Sequence, residues 1–213
     1  MSINLISVWN ATFDVGMSSI VIPDGCRDLI VKTVANEKPD WFVSPLFDQS
    51  EFIQIEDHCT YSGFRLSPGA EIKEEKILSY IASSNLYIDE IKEILDDFVT
   101  IDDSVKEALG CLASELGSVK QVSVQLGVSV RTLQRMILTK TERTPGYWLQ
   151  LARVRKAAKH LCSEANLIDV ADMYGFSDQS HMNREFQRWF RLTPLQLLNS
   201  PSVIRQLNNN SYS

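Results

Sequence analysis

The sequence predicts an α+β protein: a small β-rich N-terminal domain with trailing helices, then an all-α domain. Three observations carry this. Short runs rich in β-branched and aromatic residues give way to helical spacing near residue 71. The sign of the charge changes near residue 101. A helix–turn–helix pattern occurs twice in the second half. The division falls between residues 1–100 and 101–213.

Residues 1–69 hold the strand signals. Apolar, β-branched runs at 19–22, 28–34, 41–47, 51–55 and 61–66 are separated by Pro, Gly, Asn and Asp. From Glu71 onward Ile72, Ile77, Leu78 and Ile81 form one apolar stripe. Ile88, Ile91, Leu95 and Phe98 form another, suited to an intersubunit seam of a homodimer or to packing on its own domain. So short a run favours the second use.

Beyond residue 102 the pattern is helical. Helices are expected over 103–116, over 118–126 with Gly127 ending it, and over 130–139 with Ser129 as N-cap. Pro145 suits the first turn of a long helix running to about Cys162. A short helix over 167–174 then stops at Gly175, Ser177 caps a helix over 178–190, and Thr193-Pro194 opens a last short one.

Composition bounds the function. With 44% hydrophobic and 23% charged residues, the chain is ordinary globular material. No apolar run approaches the ~18 residues of a membrane span. The first ten residues lack the basic stretch of a signal peptide. Cys26, Cys59, Cys111 and Cys162 are scattered, as expected of free thiols in the cytoplasm. Residues 1–101 carry 7 Lys and Arg against 17 Asp and Glu, a balance of −10, while residues 102–213 carry 14 against 10, a balance of +4. Such a split suits a chain in which one half faces phosphate.

The repeat is the most informative feature. Gly127-Val128-Ser129 corresponds to Gly175-Phe176-Ser177, Leu133 and Arg135 to Met182 and Arg184, and Thr144-Pro145 to Thr193-Pro194. The second copy has one extra residue after its turn. Small Ser123 and Ala171 let the helices of each copy approach closely, and the turn glycines accept a left-handed backbone. The helix after each turn has two faces. Leu133, Met136 and Ile137 in the first, and Met182, Phe186, Trp189 and Phe190 in the second, must face inward. Arg131, Gln134 and Arg135 in the first, and Gln179, Ser180, Asn183, Arg184 and Gln187 in the second, face outward. Arg pairs with guanine N7 and O6, and Gln or Asn with adenine N6 and N7. One such face could be a solvated surface. Two, each behind a Gly-x-Ser turn, point to double-stranded DNA.

Three segments, GVSVRTLQRM (127–136), TPGYWLQLARVRKAAKHL (144–161) and YGFSDQSHMNREFQRWFRLTP (174–194), resemble the DNA-binding domain of the AraC family of bacterial transcription regulators. The resemblance implies seven helices, two helix-turn-helix units bridged by one long helix, and recognition helices in successive major-groove segments. It also implies promoter binding, activation through RNA polymerase, and base or phosphate contacts at Arg131, Gln134, Arg135, Gln179, Ser180, Asn183 and Arg184. Glu142 and Arg191 depart from the family's usual glycine after each recognition helix. PDGCRDLIV (23–31) and GFRLSPGA (63–70) resemble the short cupin-like sensory domain of one AraC subgroup, which implies an open or reduced barrel and a small-molecule effector. Arg27 and Arg65 would bind an acidic ligand if they pointed into it, and would pair with surplus carboxylates if not.

Other readings are weaker. His58-Cys59 with Cys26 has no metal-ligand spacing, so no metal or cofactor is expected. Cys26 and Cys59 show no sign of a redox switch. Cys111 and Cys162 suit packing. His160 and His181 lie on predicted helices without a nucleophile nearby, and no catalytic triad or nucleotide-binding loop is visible, so no enzyme is expected. A DNA-repair alkyl acceptor would need four clustered N-terminal cysteines, where only Cys26 and Cys59 stand. An architectural, sequence-blind DNA binder is disfavoured by the polar recognition faces and the acidic half.

Overall fold

The computed structural model describes residues 4–84, 86, 88–114, 117–163 and 166–213. Among these residues the N-terminal half has eight strands: β1 (Leu5–Phe13), β2 (Met17–Val21), β3 (Asp28–Val34), β4 (Asp40–Val43), β5 (Glu51–Ile55), β6 (Cys59–Leu66), β7 (Glu71–Ile72) and β8 (Val99–Thr100). Strands β1, β6, β3 and β4 form an antiparallel sheet in that order, β2 pairs with β5, and β7 with β8. The expected β-rich unit is thus present as a four-stranded sheet with a separate two-stranded ribbon.

Three strand expectations change. The longest strand, β1, was not anticipated, because Ser, Asn and Thr interrupt the apolar alternation of LISVWNATF. The strand expected over 41–47 ends at Val43, before Pro45, which cannot donate to a ladder. The strand expected from residue 61 begins at Cys59. Gly63 sits opposite Trp9 in the β1–β6 register, where any Cβ would lie 2.1 Å from the indole ring. This sheet carries helices α1 (Glu74–Ser83) and α2 (Ile91–Phe98) on a core of Leu29, Phe64, Leu66, Ile77, Ile91 and Leu95. Ile91 and Leu95 are fully buried there, so the stripe packs on its own chain and offers no intact seam.

The second half contains α3 (Asp103–Ser114), α4 (Val119–Gln125), α5 (Val130–Thr141), α6 (Pro145–Leu161), α7 (Leu167–Met173), α8 (Gln179–Phe190), α9 (Pro194–Leu198) and α10 (Pro201–Asn208). The end of the helix expected over 103–116 lies outside the described residues. Helices α3 to α9 make the expected seven, and α10 is an addition. Its Val203 and Leu207 are fully buried. Its short sequence, PSVIRQLN, runs straight into an asparagine tail, which concealed it. The long helix α6 is the axis of the main core, with Trp148, Leu151, Val154, Ala157 and Ala158 buried.

The halves are tightly joined. Ile22 belongs to the main core. Gln206 on α10 accepts from the Ile22 N–H at 3.0 Å and donates to the Ile20 carbonyl at 2.7 Å. Arg155 on α6 is completely buried and donates to the Pro23 carbonyl at 3.0 Å and the Ser211 hydroxyl at 2.7 Å. Tyr212 packs edge-on against Trp148 and donates its hydroxyl to the Leu109 carbonyl.

Candidate nucleic-acid interface

The two helix-turn-helix units match residue for residue in their capping. Ser118 and Asn166 are the N-caps of α4 and α7, each a seven-residue helix. Gly127 and Gly175 take the same left-handed turn, φ 67°. Across each turn the same backbone bond forms at 2.9 Å, Val128 N–H to the Ser123 carbonyl and Phe176 N–H to that of Ala171. The recognition helices α5 and α8 each have twelve residues. Ser129 caps α5 as expected. The cap of α8, however, is Asp178 and not Ser177: its carboxylate accepts the His181 N–H at 2.6 Å. The extra residue of the second copy is therefore Ser177, whose N–H donates to His181 Nδ1 at 3.1 Å. That bond holds His181 at the turn.

Both recognition helices end on a left-handed residue, Glu142 at φ 56° and Arg191 at φ 54°. The departure from glycine therefore leaves the helix ends in the expected geometry. Thr144-Pro145 and Thr193-Pro194 then restart the chain equivalently, each threonine capping the next helix.

The faces separate as the spacing requires. Leu133, Ile137, Met182, Phe186 and Phe190 are fully buried and Trp189 nearly so, while Met136 is half-buried. Arg131, Gln134, Arg135, Gln179, Ser180, Arg184 and Gln187 are exposed, and Asn183 is half-exposed. Among the described residues Arg131, Arg135 and Arg184 make no salt bridge, whereas Lys140, Arg143 and Arg191 pair with Glu71, Asp48 and Glu51 of the acidic half. Acidic residues thus neutralise the far ends of the recognition helices and leave Arg131, Arg135 and Arg184, in the first two turns, open to phosphate or guanine. With the caps aligned, Arg131 corresponds to Ser180, Gln134 to Asn183, Arg135 to Arg184 and Leu138 to Gln187. Leu138 was missed by sequence reasoning. It is 49% exposed on this face, and its equivalence to Gln187 was legible in the repeat.

The N-terminal arginines are both paired. The Arg65 guanidinium donates to both oxygens of Asp28, at 3.1 and 3.3 Å, and bridges Asp24 at 3.0 Å. Burial pushes the Asp24 carboxyl up, opposed by Arg65 and Arg155. Arg27 donates to Glu74 at 2.7 Å and to the Ser44 carbonyl at 2.9 Å. Arg27 also lines a cleft of about 500 Å³ between the halves, with Leu46, Glu71, Lys140, Arg143 and Trp148. No group of potential metal ligands occurs among the described residues. Burial pushes the Cys26 thiol up, and Cys59 donates to the Glu56 carbonyl. Cys111 and Cys162 pack beside the main core. His160 stacks edge-on against Tyr174.

Residues 122–200 match the family model of a helix-turn-helix domain. These residues therefore form a helix-turn-helix domain. A 75-residue stretch of the chain is 41% identical to the HTH-type transcriptional activator RhaS of Escherichia coli O1:K1, covering 34% of this chain and 27% of the activator. The chain thus spans about a quarter of the length of the curated relatives it matches. Among solved structures it is similar to the C-terminal domain of AraT, a response regulator from Geobacillus stearothermophilus. That likeness has 23% identity and a TM-score of 0.43, and covers 46% of this chain and 85% of that one. It is also similar to ToxT from Vibrio cholerae, at 13% identity and TM-score 0.47 over 91% of this chain and 98% of that one. The matched helix-turn-helix region contains both recognition helices. No helix among the described residues is long and apolar enough to cross a membrane.

Proposed function

We propose that the chain is a cytoplasmic transcription regulator that reads promoter DNA with both recognition helices of its AraC-type domain. The observation that carries this is the pair of equivalently capped units whose outward faces hold Arg131, Gln134, Arg135, Gln179, Ser180, Asn183, Arg184 and Gln187, with Arg131, Arg135 and Arg184 outside any salt bridge among the described residues. Arg131, Arg135 and Arg184 supply guanine or phosphate contacts, and Gln134, Gln179, Asn183 and Gln187 supply adenine contacts. Activation through RNA polymerase is the role that similarity to an activator favours. Residues 1–100 act as the sensory domain. The cleft beside Arg27 suits a small effector better than Arg65 does, because the Arg65 fork is filled by Asp24 and Asp28.

The test is selection of binding sites from a randomised duplex pool, followed by competition with random DNA. A regulator enriches a defined site and prefers it by at least about 10³-fold. Equal affinity for the pool and the enriched site would instead favour the architectural reading.

A further inference from the structure

One short segment of the acidic half, residues 46–51, lies across the C-terminal ends of both recognition helices. At the first unit the Arg143 guanidinium, just beyond α5, donates to the Leu46 carbonyl at 3.2 Å and to both Asp48 oxygens at 2.7 and 3.1 Å. Tyr147, in the first turn of α6, donates its hydroxyl to the Phe47 carbonyl at 2.9 Å. At the second unit the buried Ser50 donates its N–H to the Trp189 carbonyl of α8 at 2.8 Å and its hydroxyl to the same oxygen at 3.2 Å. Glu51 pairs with Arg191 at 3.4 Å. The Trp189 carbonyl is one of the last four of its helix, which have no partner within the helix. Its cap therefore comes from the other half of the chain.

We propose that residues 46–51 are a clamp that fixes the spacing and angle of the two recognition helices, with Asp48, Ser50 and Glu51 as positioning residues for DNA reading. This rests on the DNA-binding reading above. Helix α6 ties the units along one line, and the Tyr147 ring meets that of Trp189 at 5.3 Å. A single line leaves the far ends of α5 and α8 able to splay. A second tie across those ends removes that freedom. Inserting one base pair between the two contacted segments turns the second by about 35° and moves it about 3.4 Å. A clamped pair cannot follow that offset, and an unclamped pair can. The clamp borders the proposed effector cleft between the halves, whose lining includes Leu46 and Arg143. Spacing is thus the property an effector would alter.

The test uses the full chain, its selected duplex, and duplexes with one base pair inserted or deleted between the two segments. A three-glycine insertion between Asp48 and Gln49 keeps every anchor but uncouples the two ends, and loops tolerate such additions. The wild type should lose at least about tenfold in affinity per shifted base pair, and the insertion variant about threefold or less, with unchanged affinity for each segment alone. Asp48→Ala with Glu51→Ala, at an exposed and a half-exposed position, should leave folding intact and move the penalty the same way. If the insertion variant melts below the wild type, the double variant decides. An unchanged spacing penalty in the folded variants overturns the clamp. A wild type that selects no duplex overturns the DNA reading instead. A loop that merely holds the halves together would change stability and leave the penalty ratio alone.

Discussion

At the residue scale the account stands on side chains that leave a helix cylinder toward solvent. Gln134 and Asn183 occupy equivalent places on α5 and α8, so each should read its own segment. Gln134→Ala and Asn183→Ala are each expected to relax preference at a different set of base pairs, costing about 1–3 kcal/mol of discrimination apiece. Binding-site selection with each variant checks this, and unchanged preferences in both would mean the face is misassigned. Asp178 offers a pH test. The backbone N–H it accepts from His181 holds its carboxyl below the usual aspartate range. A depressed carboxylate contributes stability above its unfolded pKa and loses it as pH falls through the folded value. The His181 amide resonance should therefore shift in acid, as the pH falls below about 4. Asp178→Asn, which keeps an acceptor, should abolish that step. The outward residues were legible because a helix of known register fixes which side chains share a face. The cap was not: Ser177 and Asp178 are both good N-caps, and the bond from the His181 N–H to the Asp178 carboxylate distinguishes them.

Elements were legible in proportion to their periodicity. Helices α4 to α9 carry Ser, Asn, Asp or Thr at the N-cap and Gly or a left-handed residue at most ends, so their limits fall within a residue or two of expectation. Strand β1 lacks such marks, and helix α10 has only Ser200-Pro201 at its start, with no side-chain cap bond. Each is held by partners distant in sequence: β1 by β6, and α10 by the main core and the Ile20–Ile22 backbone. The stripe on α2 was ambiguous because seam and core use the same spacing. Burial of Ile91 and Leu95 decides it. Leu95→Ala should accordingly destabilise the N-terminal half by about 2–5 kcal/mol, seen as a lower urea midpoint. Light scattering should show its oligomeric state equal to that of the wild type. A change of mass without loss of stability would restore the seam.

At the scale of the whole molecule, charge is divided so that acids cover the distal ends of the recognition helices while their outward faces stay cationic and polar. The sequence showed the division but not where it meets. Asp48, Glu51 and Glu71 reach Arg143, Arg191 and Lys140 only because the halves pack together. Arg155 is central to that packing, its charge compensating the Asp24 carboxylate across the boundary. Arg155→Ala leaves buried carbonyls unpartnered and should cost about 3 kcal/mol in chemical denaturation. An effect below about 0.5 kcal/mol, the usual range for surface changes, would show that the halves do not depend on it.

The claim beneath all of this is that both helices enter the major groove at once. Guanine N7 methylation protection on the selected duplex tests it most directly, because N7 lies in that groove. The account predicts two protected segments about 10–10.5 base pairs apart on one face of the DNA. Gln134→Ala should weaken protection at one and Asn183→Ala at the other. A single protected segment, or one left unchanged by both variants, would contradict it.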